Sequence, residues 1–415
     1  MSDTIQELDI IRLGAQGDGV ADTPAGPVYV ARALAGERVR ADVTGERGRL
    51  IDVIRASPDR VQPVCRHFGS CGGCAAQHMG QAPYRIWKRE LVRTAFSHRG
   101  LEPPIDDVVL VPPGTRRRAT FGAARRGGRL VLGFHEEGSH TLVDLEVCPV
   151  VVPAIANALA SLRSIADVAL SDDLGMRLTV TATPAGLDVA LTSEGQLPLD
   201  AKVRARIAHM ASVAGILRVT ANGDLVIQSA APKLVVGGAE VLLPPAAFIQ
   251  ATAEAEAAIG DLLVKSTVKA KRIVDLFSGV GTFTFGLAKR ARVLAVDGEK
   301  RAIEALITAA KGAKGVKPIE TRVRDLLTEP LSRQELDGFD AAVFDPPRAG
   351  ARAQAEMLAK SKVPVVCAVS CNPATLARDC RILVDGGYQI VRVTPIDQFV
   401  WSQHVEAVAV LKRGR

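Results

Sequence analysis

The chain has 415 residues, 47% of them hydrophobic, which excludes global disorder and exceeds what one ordinary core holds, so two or three domains are expected. Lys and Arg number 52 against 45 Asp and Glu, a net charge of +7, and the excess at Arg116-Arg117-Arg118, Arg125-Arg126 and Arg129 suits a polyanion surface, although a solvated cationic face reads the same way. The apolar stretch 147–162 is broken by Pro149, Pro153 and Asn157, and no charged leader precedes a signal-like core, so a soluble, cytoplasmic protein with no membrane contact is expected.

Residues 5–57 alternate short β-type runs (10–13, 28–32, 39–43, 50–54) with Gly-rich turns such as Gly17-Asp18-Gly19, the pattern of a small barrel closed by Ser57-Pro58. A cysteine cluster follows, and then 84–96 reads as a helix with Ile86, Leu91, Ala95 and Phe96 apolar among Arg and Lys. From 108 to 242 the pattern is β-rich with one Ala-rich helix at 154–165, and it contains no catalytic constellation. The last third predicts a strand at 273–277, a Gly-rich turn at 278–281, a helix at 282–290, a strand at 293–297, a helix at 300–311, strands at 341–345 and 363–370, and a final β run at 405–411. Such a βαβ series implies a parallel, doubly wound α/β sheet.

Three constellations there carry chemistry. In Asp275-Leu276-Phe277-Ser278-Gly279-Val280-Gly281-Thr282, glycines let the backbone approach a ligand, and Asp297, ending the next strand, can accept from ribose hydroxyls. Nicotinamide and adenosylmethionine folds both use this arrangement, but Thr284 stands where a dinucleotide fingerprint wants a third glycine, which favours adenosylmethionine. In Asp345-Pro346-Pro347-Arg348, two prolines after a strand make a rigid loop that can present a carboxylate to a planar ring, although Asp-Pro-Pro is also an ordinary turn initiator. The third is Cys371, just past an apolar strand. Thiolate addition at C6 of a uracil would make C5 an enolate carbon able to attack a sulfonium methyl, and a base must then take the C5 proton. Glu406 is the stronger candidate base; as an isolated strand residue it would read as outward-facing, and His404 reads as orienting or packing. Cys367 and Cys380 read as core cysteines, and no sequence neighbour explains how Cys371 is activated.

Seven cysteines, an odd number, argue for metal ligands plus a reactive thiol over a disulfide framework. Cys65, Cys71 and Cys74 on a Gly-rich loop, with a distant Cys148-Pro149, suit four thiolates on an iron-sulfur cluster, and zinc is the rival.

Phe248-Ile249-Gln250, the turn at 275–281, Asp345-Pro346-Pro347-Arg348, Ser370-Cys371-Asn372-Pro373 and His404-Val405-Glu406 together resemble the class I RNA 5-methyluridine (uracil-C5) methyltransferase family, and the amino-terminal barrel resembles its TRAM domain. The resemblance implies Cys371 as nucleophile and Glu406 as base. It implies Gln250, Phe277, Asp297 and Asp345 as S-adenosyl-L-methionine contacts, and Cys65, Cys71, Cys74 and Cys148 as 4Fe-4S ligands. It further implies a barrel at 1–58, a central iron-sulfur domain at 59–76 and 109–240, and a Rossmann-like methyltransferase domain at 77–108 and 241–415. The cluster and barrel together resemble the 23S ribosomal RNA branch. A transfer RNA enzyme and an RNA-binding module that has lost catalysis are the alternatives. RNA is the expected partner of a monomer without an obligate protein partner. Three positions depart from the family pattern: Thr252 and Thr282 stand where relatives carry Asn, and Asp297 replaces Glu.

Overall fold

The computed structural model describes residues 4–171, 175–195, 197 and 199–414. Six amino-terminal strands, Thr4–Asp9, Arg12–Leu13, Gly19–Thr23, Gly26–Val30, Arg38–Thr44 and Arg47–Arg55, form one sheet whose two end strands are Thr4–Asp9 and Arg12–Leu13. Those two are one chain stretch bent at Ile10 and Ile11, so the sheet closes on itself into a barrel. Arg38–Thr44 shows the two-residue period that builds it: Arg38 and Arg40 face water while Val39, Ala41 and Val43 enter the barrel core. The strands at 4–9 and 19–23 lie outside the sequence-predicted runs, because Gly, Asp and Glu dilute their β character.

The central unit is a second six-stranded sheet, in the order Asp224–Gln228, Ile216–Ala221, Gly186–Thr192, Met176–Thr183, Arg118–Arg126, Arg129–Gly133. Three helices cover one face and share a core with Phe121, Leu178 and Val189. The predicted single helix at 154–165 is in fact two, Pro153–Asn157 and Leu159–Ala169, and Ala201–Val213 was not foreseen. Its apolar stripe is thin, with only Ile207 and Ala211 buried, although Asp200 accepts from Val203 N at 2.7 Å as an N-cap.

The third unit is an eight-stranded sheet ordered Ile319–Val323, Arg292–Asp297, Arg272–Leu276, Ala341–Phe344, Val365–Ser370, Glu406–Arg413, Tyr388–Asp397, Val109–Leu110. The first five strands are mutually parallel, as expected of a doubly wound sheet, but Glu406–Arg413 runs antiparallel to both neighbours. An apolar run such as 407–411 reports no direction, and here a short loop, not a crossover helix, joins the strand to Tyr388–Asp397. The helix predicted at 282–290 shrinks to Thr284–Ala288 because the Gly turn takes up its first residues. Helix Gln81–Ser97 docks here through Val92 and Phe96; Ile86, expected inside, is exposed, and Tyr84, Trp87 and Lys88 are buried in its place. The hairpin Lys233–Val236 with Ala239–Leu242, although it begins before residue 241, packs through Leu234 and Val241 against Phe285 and Leu306 of this unit. No helix among the described residues is long and apolar enough to cross a membrane.

Candidate active site

Strand order reverses between Arg272–Leu276 and Ala341–Phe344, and the crevice outside the carboxyl ends of such strands is where doubly wound sheets take ligands. A cavity of about 900 Å³ opens there, lined by Gln250, Phe277, Asp297, Asp345, Cys371 and Glu406, so six sequence-predicted residues from six separate segments converge. The Gly turn is shaped for close approach: Phe277 takes φ +60°, a left-handed value unusual for a side chain of this bulk, and Gly279 and Gly281 are at +55° and +95°. Asp297 ties the turn down, its two oxygens accepting from Gly279 N at 2.8 Å and Glu299 N at 2.7 Å. Each oxygen keeps a further lone pair.

The loops at 345–348 and 371–373 are fastened to each other. Asn372 Nδ2 donates to Arg348 O at 3.3 Å while Asn372 Oδ1 caps helix Pro373–Asp385 by accepting from Ala374 N at 3.1 Å. Cys371 is thereby set beside the Asp-Pro-Pro loop. Its thiol is pushed up to about 11, first by burial, then by Glu406 and Asp345, with Arg348 opposing them. Cys367 and Cys380 are fully buried, and burial pushes both thiols up, Cys367 to about 12. His404 lines the cavity with its pKa lowered by burial and by Arg348, Lys88 and Arg116, so it stays neutral.

A hydrogen-bonded chain runs along the cavity wall. Gln250 Nε2 donates to Asp345 Oδ2 at 2.7 Å; Gln398 Nε2 donates to Gln250 Oε1 at 2.8 Å and to Glu406 Oε2 at 2.5 Å. Gln398 Oε1 accepts from Ala251 N at 3.0 Å, which satisfies the amide from both ends. Glu406 is 2% exposed and its Oε1 has no partner among the described residues. Burial and the nearby Asp345 raise its pKa well above the carboxylate range, while Asp345 is itself pushed to about 7 by burial and Asp275. An acceptor oxygen kept dry and free suits a proton-accepting group.

Two members of this site escaped sequence reasoning. Gln398 follows an isolated Asp397 and carries no motif; the only signal was an amide one residue past a buried strand. Asp275 stood inside the quoted turn as a bystander, yet it is 2% exposed, accepts from Thr284 Oγ1 at 2.6 Å and is pushed to about 7 by burial. The basic cluster divides, because strand residues alternate faces. Arg117 is buried and pairs with Glu256, Arg125 pairs with Asp167 at 2.8 Å, and only Arg116 and Arg118 reach the cavity. The departure at Thr252 has a local reason, since its Oγ1 caps helix Ala253–Ser266 by accepting from Ala255 N at 3.1 Å.

Cys65, Cys71, Cys74 and Cys148 line a second cavity of about 520 Å³, which shares Arg116, Arg118, Phe399 and His404 with the first. Burial and the mutual repulsion of the four raise Cys71 and Cys148, and Cys74 to about 12. Against this, Gly73 N donates to Cys71 Sγ at 3.4 Å, and the Val150 and Val151 N–H groups donate to Cys148, bonds that favour thiolates. Among the described residues no three His, Cys, Asp or Glu side chains are grouped as a single metal ion requires.

The profile of the family described as tRNA (Uracil-5-)-methyltransferase matches residues 242–414. Along nearly its whole length the chain is 46% identical to an uncharacterized RNA methyltransferase of Agrobacterium fabrum, with 98% of this chain and 99% of the relative covered. It is 33% identical to the 23S rRNA (uracil(1939)-C(5))-methyltransferase RlmD of Halomonas elongata, over 98% of this chain and 89% of that one. The fold matches the Pyrococcus abyssi tRNA (uracil-54, C5)-methyltransferase solved with S-adenosyl-L-homocysteine, with a TM-score of 0.73, 24% identity, and 98% and 100% of the two chains covered.

Proposed function

Since this chain belongs to the RNA uracil-5-methyltransferase family, we propose that it transfers a methyl group from S-adenosylmethionine to C5 of a uridine in 23S ribosomal RNA, through a covalent bond between Cys371 and uracil C6. The observation that carries the mechanism is the convergence of Cys371, Asp345 and the free Glu406 Oε1 on one cavity. Cys371 Sγ adds to C6, the enolate carbon C5 takes the sulfonium methyl, Glu406 accepts the C5 proton, and the thiolate leaves as the C5–C6 double bond reforms. Gln250 and Asp345 would hold the donor, and Asp297 would hold its ribose. The target base is flipped out of its stack to admit the thiol, which suits a single-stranded loop.

The ribosomal assignment rests on the Halomonas relative and on the four cysteines beside a barrel, which we read as a TRAM domain. Cys65, Cys71, Cys74 and Cys148 would hold a 4Fe-4S cluster, whose chemistry here is to cross-link the 65–74 loop to the segment at 148. RNA carrying 5-fluorouridine tests the mechanism, because fluorine cannot leave as a proton does. A denaturation-resistant complex is expected from the native chain and none from Cys371→Ser; a Cys371→Ser protein that still traps RNA and turns over sinks the assignment. Offering 23S and transfer RNA transcripts side by side decides the substrate.

A further inference from the structure

Outside the cavity, one buried group is unexplained by the mechanism. Lys88 is 0% exposed, in the middle of helix Gln81–Ser97, with its ammonium 5.4 Å from the Tyr84 ring centroid and 5.5 Å from that of Trp87. It pairs with Asp397 Oδ1 at 2.7 Å and donates to two main-chain carbonyls, Phe399 O at 3.4 Å and His404 O. Tyr84 completes the set: its hydroxyl donates to Asp397 Oδ2 at 2.5 Å and accepts from Trp401 N at 2.7 Å. Trp401 sits at φ +60°, a conformation that the surrounding bonds must hold, and its carbonyl accepts from Ala75 N at 2.7 Å and Ala76 N at 3.0 Å, beside the cysteine loop.

All these bonds end on one loop, residues 397–404. Asp397 is the residue before Gln398, and His404 lies two before Glu406, so the ammonium grips the loop on both sides of the hydrogen bond that joins Gln398 to Glu406. Apolar side chains of similar volume would fill this position without desolvating a charge, so packing alone does not account for a lysine here. We propose that Tyr84, Lys88 and Asp397 are positioning residues for the base: by pinning both ends of the 397–404 loop they set where Glu406 and Gln398 stand relative to the bound ring. The proposal rests on the reading of Glu406 as base.

The test uses full-length protein, 23S ribosomal RNA transcript and adenosylmethionine, with Tyr84→Phe, which deletes one hydroxyl, and the double variant Lys88→Met with Asp397→Asn, which leaves no unpaired buried charge. Both are expected to lower kcat about 10- to 100-fold, the loss that a misplacement on the order of 1 Å brings, with KM for adenosylmethionine unchanged. Both are expected to trap 5-fluorouridine RNA as the native chain does, because addition needs no base, and to accumulate methylated adduct on ordinary RNA. Unchanged kcat in either folded variant overturns the proposal. So does a parallel loss of trapping, adenosylmethionine affinity and turnover, which marks a structural role only. Glu406→Gln is the control: if it accumulates no adduct, the base assignment itself fails, whereas accumulation there and not in the two variants removes only the positioning role.

Discussion

Cys371 is held by its surroundings far from the state the reaction needs. With the thiol near 11, on the order of one chain in ten thousand carries a thiolate at pH 7. The carboxylates that raise it act through charge, so a sulfonium bound in the same cavity acts in the opposite sense. Alkylation of Cys371 by iodoacetamide, followed by peptide mass spectrometry, is therefore expected to rise about tenfold per pH unit toward pH 11. Glu406→Gln should move the midpoint down by deleting a neighbouring negative charge. The same substitution is expected to slow turnover by about 10² to 10⁴, the usual contribution of a positioned base, while the methylated adduct still forms. An acid limb in the native pH profile lying well above the range of an ordinary carboxylate would report the raised Glu406.

At the scale of elements, the turn after Arg272–Leu276 depends on two glycines for different reasons. A Cβ on Gly281 would lie 2.7 Å from Phe285 Cε2 and 3.1 Å from Leu306 Cγ, whereas one on Gly279 meets nothing within 4 Å. Gly281→Ala is expected to cost about 2 to 4 kcal/mol, overpacking added to left-handed strain, and Gly279→Ala about 1 to 2 kcal/mol from strain alone, read by denaturant titration. The same turn carries a pH signature through Asp275. Its folded pKa of about 7 lies above the unfolded 3.8, so the folded chain binds more protons between those values and stability falls as pH rises from about 4 to about 7. Asp275→Asn keeps an acceptor for Thr284. It is expected to melt above the native chain at pH 8, by on the order of a few kcal/mol, with the difference vanishing near pH 4; a constant difference at all pH values would contradict the assignment. Element identity was legible wherever period and turn residues agreed, as at 293–297 and 300–311. It failed at Ala201–Val213, whose stripe is too thin; Glu406–Arg413 was legible as a strand, but the run does not encode its direction.

For the whole molecule, the central unit and the eight-stranded unit meet at the cavity, and the barrel is tied to them through a helix. The cysteine-lined cavity and the one that Cys371 and Glu406 line share Arg116, Arg118, Phe399 and His404, and helix Gln81–Ser97 touches both the barrel, through Trp87 Nε1 to Gly14 O at 3.0 Å, and the loop before Glu406. Protein purified without oxygen is expected to hold about four irons and four sulfides per chain, lost in Cys148→Ala; about one zinc and no iron would overturn the cluster assignment. Lys88 was legible in hindsight, since it falls four residues from both Tyr84 and Val92 on the buried stripe, where a charge demands a partner.

Residue chemistry was thus decided locally. The Gly turn, the Asp-Pro-Pro loop, the thiol past a strand and the three cysteines of the 65–74 loop were each legible in neighbouring residues, because turns and strand ends are set by backbone preferences of the residues within them. What only the tertiary structure decided is who stands next to whom. The chain from Asp345 through Gln250 and Gln398 to Glu406, and the grip of Lys88 on the 397–404 loop, join residues far apart in sequence. Hydrogen bonds and burial act over a few ångströms of space, and spacing along the chain does not record that distance.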